Sequence, residues 1–310
     1  MKKFLIKVTL YIVILLAIIL PVSIWLFKKV PKHFLLVSNS VSYNLKADFI
    51  RQHPEKLEQA GVVVVGSSMS LNNVDAKMIR DSLRLPVINL ASWALNIQNY
   101  QNSPIWDEHK IFFSNIGVPD FGESRVIAKD NYSFNTSRVR EWFNFETDIK
   151  TCLGMLQQAQ EVMSIPDNSN YKSCNFDECG SVLFSVKGFT YDSLRWNADE
   201  FVKWGVDSAR LRAYVSRLKE LTGSHHGYSR IIVSFSPVRR KFYSAGRSGM
   251  IAYLGGLIRE NCPDVTFFNL YDRDYPDSVF ADNCHFNVLG AGRFTGEVID
   301  SMRARGVMGR

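Results

Sequence analysis

Hydrophobic positions along the chain fall into three regimes. From Val8 to Phe27 the sequence is apolar and uncharged over about the length a helix needs to cross a bilayer. Lys2, Lys3 and Lys7 precede this run, and Lys28, Lys29 and Lys32 follow it. No small-x-small cleavage site comes after it. The chain continues Trp25-Leu26-Phe27-Lys28-Lys29, so the run reads as an uncleaved anchor rather than a signal peptide. Residues 1–33 are therefore expected to form an N-terminal transmembrane anchor with basic flanks, and residues 34–60 a stalk and entry helix.

From Gly61 the pattern changes to short apolar runs separated by helical periodicity. After Gly61, Val62-Val63-Val64-Val65 is a short β-branched apolar run, the mark of a parallel strand buried on both faces. Pro86–Leu90, Lys110–Ile116, Ile231–Phe235 and Val265–Leu270 read as further strands. Val74–Leu83, Ala198–Leu221, Gly249–Glu260 and Val288–Arg303 carry helical spacing. This alternation predicts an α/β domain over 61–310, a mostly parallel sheet with helices on both faces. The third regime, about 120–198, is rich in Asn, Ser, Asp and aromatics with weak periodicity, and reads as an insertion with a helix near Cys152–Met163.

Charge adds little to this picture. The net charge is +7, but the first 33 residues hold six lysines and no acid, leaving 31 basic residues (37 less 6) against 30 acidic ones. The basic balance belongs to the membrane flanks and gives no argument for nucleic acid as a partner. The lysines on the two sides of the apolar run tie, so charge alone does not orient the anchor. The short N-terminal tail and the cysteines favour a domain outside the cytoplasm. Cys174 and Cys179 are spaced for a small disulfide loop, Cys262 and Cys284 form a second possible pair, and Cys152 is left over; five unpaired thiols are the alternative. No zinc-ligand spacing occurs, and no metal is expected.

Two motifs at opposite ends of the domain carry the chemistry. Gly66-Ser67-Ser68-Met69-Ser70 follows the first strand and precedes a helix, which is where a nucleophilic hydroxyl would be presented. Asp282-Asn283-Cys284-His285 precedes the last helix. An Asp three residues before a His can hold the imidazole in one tautomer and free its other nitrogen to act as a base. In an open parallel sheet both motifs fall beyond the carboxyl ends of the strands, where ligands bind. Ser68, His285 and Asp282 are accordingly the candidate nucleophile, base and orienting acid.

These blocks resemble the SGNH (GDSL-type) hydrolase superfamily, including its membrane-anchored envelope members. The first block, Gly-Asp-Ser-x-Ser in the family, is Gly66-Ser67-Ser68-Met69-Ser70 here, with Ser67 at the Asp position. The second, Asn-x-x-x-x-Gly, is Asn89-Leu90-Ala91-Ser92-Trp93-Ala94, with Ala94 at the Gly position. For the third, which supplies an Asn after the third strand, Asn115 is the best match, although the Gly-x-Asn-Asp pattern is absent. The last block is Asp282 and His285. The resemblance spans roughly 60–305 with the insertion unmatched.

It implies an SGNH/flavodoxin-like three-layer sandwich and a serine esterase or O-acyltransferase without cofactor. Backbone N–H groups of Ser68 and Ala94, with the Asn115 side chain, would form the oxyanion hole. The envelope members imply an acylated, most simply acetylated, envelope or exported glycan as substrate. They also imply residence in the inner membrane with a periplasmic domain, and a membrane-embedded acyl-transfer partner. Two other readings stand beside this one: a catalytically weak glycan-binding or assembly module, and a lipid-directed esterase. His225-His226 reads as a surface turn. Arg239-Arg240-Lys241 is either a solvated loop or a cationic rim. Trp93, Trp106, Trp142 and Trp196 are either core residues or sugar-stacking rings.

Overall fold

A computed structural model describes residues 2–29, 41–93, 95, 97–100, 105–121, 176–186, 206–224 and 230–306. Its centre is a five-stranded, all-parallel sheet in the order β2-β1-β3-β4-β5. The strands are β1 (Val62–Val64), β2 (Val87–Asn89), β3 (Ile111–Ile116), β4 (Ile231–Phe235) and β5 (Val265–Asn269). Val62 stands opposite Val87 on one side and Ile111 on the other, so β1 is flanked on both edges.

Successive side chains in a strand point to opposite faces, and the two faces build separate cores. Val63, Ile88, Phe112, Val233 and Phe235 pack with residues of α2 (Val41–Gln52), α6 (Ser208–Ser224) and α7 (Ala245–Asn261). Val62, Val64, Val87, Phe113 and Ile232 pack with α5 (Ala76–Leu83) and α8 (Val288–Ala304). That double burial is why the strands read as unbroken apolar runs rather than alternating ones. The α/β class and the helices on both faces agree with the expectation from the sequence.

The N-terminal helix α1 (Lys2–Lys29) precedes this domain, and α3 (Pro54–Gln59) follows α2. No helix among the described residues is long and apolar enough to cross a membrane. The described side chains, such as Ile6, Leu10, Tyr11 and Ile18, are exposed.

The stalk region is more integrated than its sequence implied. Lys46 of α2 is fully buried, its ammonium donating to the carbonyl of Asn89 at 2.7 Å and to that of Gly180, and lying 4.0 Å from the centroid of the Phe176 ring. Burial lowers its pKa to about 7, against the opposing pull of Asp177. Gly180 has φ +88, and a Cβ there would come within 2.6 Å of the Asn89 carbonyl, so the close approach requires glycine.

Part of the expected insertion belongs to the domain. In the described segment 176–186, the Cys179 carbonyl accepts from Asn89 N at 2.7 Å and Val182 N donates to the Leu71 carbonyl at 3.1 Å. Cys179 has a free, buried thiol, pushed up to about 11 by burial, which corrects the expected bridge to Cys174, itself outside the described residues. Cys262 and Cys284 are also free thiols, so that pairing is not made either. The helix expected near Cys152–Met163, Cys152 itself, Trp142, Trp196 and His225-His226 lie outside the described residues.

Candidate active site

The strand order reverses direction between β1 and β3, and such a switch point opens a crevice beyond the strand ends. The chain leaves β1 through Val65 and Gly66 into α4 (Ser68–Asn73). Gly66 has φ +127, and a Cβ on it would lie 2.7 Å from Ser70 Oγ and 2.9 Å from Ser114 Oγ. The sharp turn therefore needs glycine for both its dihedral and its space. Gly66→Ala is expected to destabilise the domain by about 2 kcal/mol or more in a denaturant titration and to displace Ser68.

Ser67 caps α4, its hydroxyl accepting from Met69 N at 3.1 Å. Ser68 is the first residue of the helix and half-buried. Its N–H therefore has no acceptor within the helix.

From the other end of the chain, the loop before α8 brings His285 to the same turn. His285 Nε2 lies 2.9 Å from Ser68 Oγ, and His285 Nδ1 lies 2.7 Å from Asp282 Oδ2. The loop is shaped by the same carboxylate: Asp282 Oδ1 accepts from Cys284 N at 2.9 Å and His285 N at 2.7 Å. Burial alone would raise the Asp282 carboxyl, but the imidazole and these hydrogen bonds outweigh it and hold it at about 2.

Asp282 is thus an acceptor only, so Nδ1 is the donor and Nε2 of the neutral imidazole accepts the Ser68 hydroxyl proton. The order of hydroxyl, imidazole and carboxylate is that required for a serine nucleophile with its base. Phe184 stands edge-on to the imidazole with ring centroids 6.2 Å apart, and Phe184 O accepts from Val288 N.

Asn73 fastens this loop to α4. Its Nδ2 donates to the Cys284 carbonyl at 3.0 Å, and its Oδ1 accepts from Phe286 N at 2.8 Å. Asn287 caps α8 by accepting from Leu289 N and Gly290 N. Asn73→Ala leaves two buried groups unpaired. The expected cost is about 1–3 kcal/mol in urea unfolding, with a larger relative loss of any activity that depends on the 2.9 Å contact between His285 and Ser68.

The expected oxyanion residues fare differently. Ala94 lies outside the described residues. Asn115 is fully buried at the end of β3, where its Nδ2 donates to the Met69 carbonyl at 2.8 Å and to Ser236 Oγ at 3.4 Å, and its Oδ1 accepts from Ser234 Oγ at 3.1 Å. Its backbone N–H donates to Ser70 Oγ, which in turn donates to the Asn115 carbonyl. Both hydrogens of the Asn115 amide are engaged in tying β3 to α4 and β4. Asn89 of the second block is likewise a buried brace, donating to the Ser70 carbonyl and Ser181 Oγ and accepting from Ala91 N.

One group at the site has no counterpart in the sequence reading. Asp120, just after β3, is half-buried and accepts from Gly117 N at 2.8 Å. Burial pushes its carboxyl up to about 6, while the Ser67 hydroxyl, the Gly117 N–H and the charge of His285 pull the other way. The available signal was Gly117-Val118-Pro119-Asp120, which keeps the first and last residues of Gly-x-Asn-Asp at their spacing.

Of the other sequence candidates, Arg239 is buried and paired with Asp277 at 2.7 Å, whereas Arg240 is exposed. Trp106 is a core ring whose Nε1 donates to the Tyr100 carbonyl. Trp93 is half-buried against Phe184 and Ala281.

Asp282, Cys284 and His285 also converge, with possible ligand atoms within 4.8 Å of one another. The 2.7 Å separation of Nδ1 and Oδ2 is a hydrogen bond, shorter than the roughly 3.3 Å between two ligands around a tetrahedral ion. The site's geometry is that of a hydroxyl hydrogen-bonded to an imidazole that a carboxylate orients. Comparison of the chain with protein-family models, with curated proteins and with solved structures finds no match.

Proposed function

We propose that this chain is a serine esterase or O-acyltransferase that works through an acyl-enzyme on Ser68. The observation that carries the reading is the continuous hydrogen-bonded series Ser68 Oγ, His285 Nε2, His285 Nδ1 and Asp282 Oδ2, with links of 2.9 and 2.7 Å. Ser68 Oγ attacks the carbonyl carbon of an ester as His285 Nε2 takes its proton. The tetrahedral intermediate collapses, the alkoxide leaves with the proton from His285, and an acyl group remains on Ser68. Water or a sugar hydroxyl then gives its proton to His285 and attacks the acyl carbon, which frees Ser68. Asp282 keeps the imidazole in the working tautomer and balances the imidazolium. The Ser68 N–H, at the head of α4, is the oxyanion donor this reading rests on, with Ala94 N–H as its partner.

Anchoring in a membrane through α1 is part of the proposal, supported by the uncharged run from Val8 to Phe27 and the exposure of the side chains described there. An extracytoplasmic domain acting on an acetylated envelope or exported glycan is supported by the resemblance of the sequence blocks. The half-buried Trp93 ring near the loop of His285 offers a surface on which a sugar could stack.

The test is a burst experiment with the full chain in detergent. With p-nitrophenyl acetate, the reading predicts one equivalent of nitrophenolate released rapidly, then slower turnover. Added acetylated oligosaccharide should yield either free acetate or acetyl moved to another sugar, which separates hydrolysis from transfer. Absence of both burst and turnover contradicts the reading.

A further inference from the structure

Lys46 is a fully buried amine that the mechanism above does not use, and its contacts lead to the site by two routes. A methionine would fill similar space without taking an amine out of water, which is costly. What the amine adds is a pair of hydrogen bonds, to the carbonyls of Asn89 and Gly180, that join two segments far apart in sequence.

The first route runs through Asn89. Its carbonyl accepts from Lys46 at 2.7 Å, and its side chain donates at 3.0 Å to the Ser70 carbonyl in α4, the helix that opens with Ser68. The second runs through Gly180. Residues 176–186 pass as a strap from the end of β2 to the loop of His285. Near Lys46 the strap meets β2, Cys179 O accepting from Asn89 N at 2.7 Å. Next it is tied to α4, where Val182 N donates to Leu71 O at 3.1 Å and Asn72 Nδ2 donates to Val182 O at 2.9 Å. At its far end Phe184 O accepts from Val288 N at 2.6 Å, and the Phe184 ring stands edge-on to the His285 imidazole.

We propose that Lys46 is a positioning residue for the catalytic pair: it latches the strap to the end of β2, and the latched strap holds Phe184 against His285 beside the helix that presents Ser68. This role rests on the serine-hydrolase reading. One nitrogen reaches both carbonyls at once, and it carries hydrogens enough for the two whether charged or neutral. The fit is close. A Cβ at Gly180 would lie 2.6 Å from the Asn89 carbonyl oxygen and 3.3 Å from Lys46 Nζ. Releasing the latch lets the strap lift while the sheet and the helices of both cores stay in place.

Two readouts follow the two ends of the strap. Cys179 reports the latched end, because its thiol is free and buried there. The burst of nitrophenolate from p-nitrophenyl acetate reports the His285 end. The burst amplitude counts correctly folded sites, and its rate constant measures how well each one reacts. The full chain in detergent would be compared as wild type and Lys46→Met, with iodoacetamide labelling of Cys179 followed by mass spectrometry of its peptide.

In Lys46→Met, Cys179 should be alkylated about tenfold faster or more, since two hydrogen bonds of the closed strap are gone. The burst rate constant should fall about tenfold, less than the roughly hundredfold that a 1 Å misplacement of reacting groups can cost. The amplitude should stay at one equivalent of the folded protein.

A wild-type burst rate constant in Lys46→Met overturns the proposal. So does a lost amplitude with an unchanged rate constant, which marks a residue that only keeps the domain folded. A slowed burst with Cys179 as protected as in wild type overturns it too, because the effect would not pass through the strap. Should the methionine variant not fold, Lys46→Gln decides. Its amide nitrogen lies one atom short and cannot hold both carbonyls, so wild-type values of both readouts overturn the proposal. If wild type itself gives no burst, the hydrolase reading falls and this one with it.

Discussion

Replacing Ser68 by alanine will remove the nitrophenolate burst and lower ester turnover by about ten-thousand-fold or more, while the protein unfolds within about 1 kcal/mol of wild type. The two halves of that expectation come from the same geometry. Ser68 is half-buried at the first position of α4, and Ser67, not Ser68, supplies the cap. Alanine is a good helix former and keeps the N–H at that position, so the turn survives. What disappears is the hydroxyl oxygen that lies 2.9 Å from the proton acceptor, His285 Nε2, and with it the covalent intermediate. Residual turnover would reflect whatever the oxyanion donors and binding achieve with water alone. Stopped-flow release of nitrophenolate and a urea titration check both halves. A Ser68→Ala protein that keeps its burst would place the nucleophile elsewhere.

The second large effect is expected at Asp282. Asp282→Asn should cost about a thousand- to ten-thousand-fold in turnover with only a modest change in fold. The Asn carbonyl can still accept from Cys284 N and His285 N, so the loop is held. Its amide, however, donates toward Nδ1, which forces the proton onto Nε2 and leaves Ser68 facing a donor instead of a base. A pH experiment on the same pair checks the electrostatics. The carboxyl of Asp282 is held at about 2, below its ordinary 3.8. Its contribution to stability is therefore complete above about pH 4 and lost as pH falls through about 2. The wild-type unfolding free energy should show that decline, and the Asn variant should lack it. Equal slopes in the two proteins over that window would contradict the assignment.

Both predictions concern residues that were readable before any coordinates, and the reason is physical. A nucleophile on a strand-to-helix turn needs a small residue at a positive φ before it, so Gly66-Ser67-Ser68 leaves a local trace. An Asp three residues before a His is close enough for both hydrogen bonds to form within one loop. The five strands were legible for a similar reason: a strand buried on both faces must be apolar at every position, as Val62–Val64 is.

What stayed hidden depends on contacts between distant segments. Asn115 at a strand end looked like a donor for chemistry, but its neighbours Met69, Ser234 and Ser236 come from other elements and consume its amide. Asp120 is one carboxylate in a short turn, without periodicity to mark it. Lys46 belongs on a solvated face by composition, yet two carbonyls and an aromatic ring make a buried place for it. Cys174 and Cys179 had a spacing that permits a bridge, and spacing does not report what else surrounds a thiol: Cys179 sits against Arg80 with its sulfur unbridged.

The central claim is that Ser68 is an activated nucleophile, and covalent labelling addresses it most directly. The full chain in detergent would be treated with a serine-directed fluorophosphonate, and the site of attachment found by mass spectrometry of its peptides. The account predicts one adduct, on Ser68, formed far more slowly in His285→Ala and absent from Ser68→Ala. A well-folded wild-type protein that takes up no label, or takes it on another serine, would contradict it and leave the domain as a binding module rather than an enzyme.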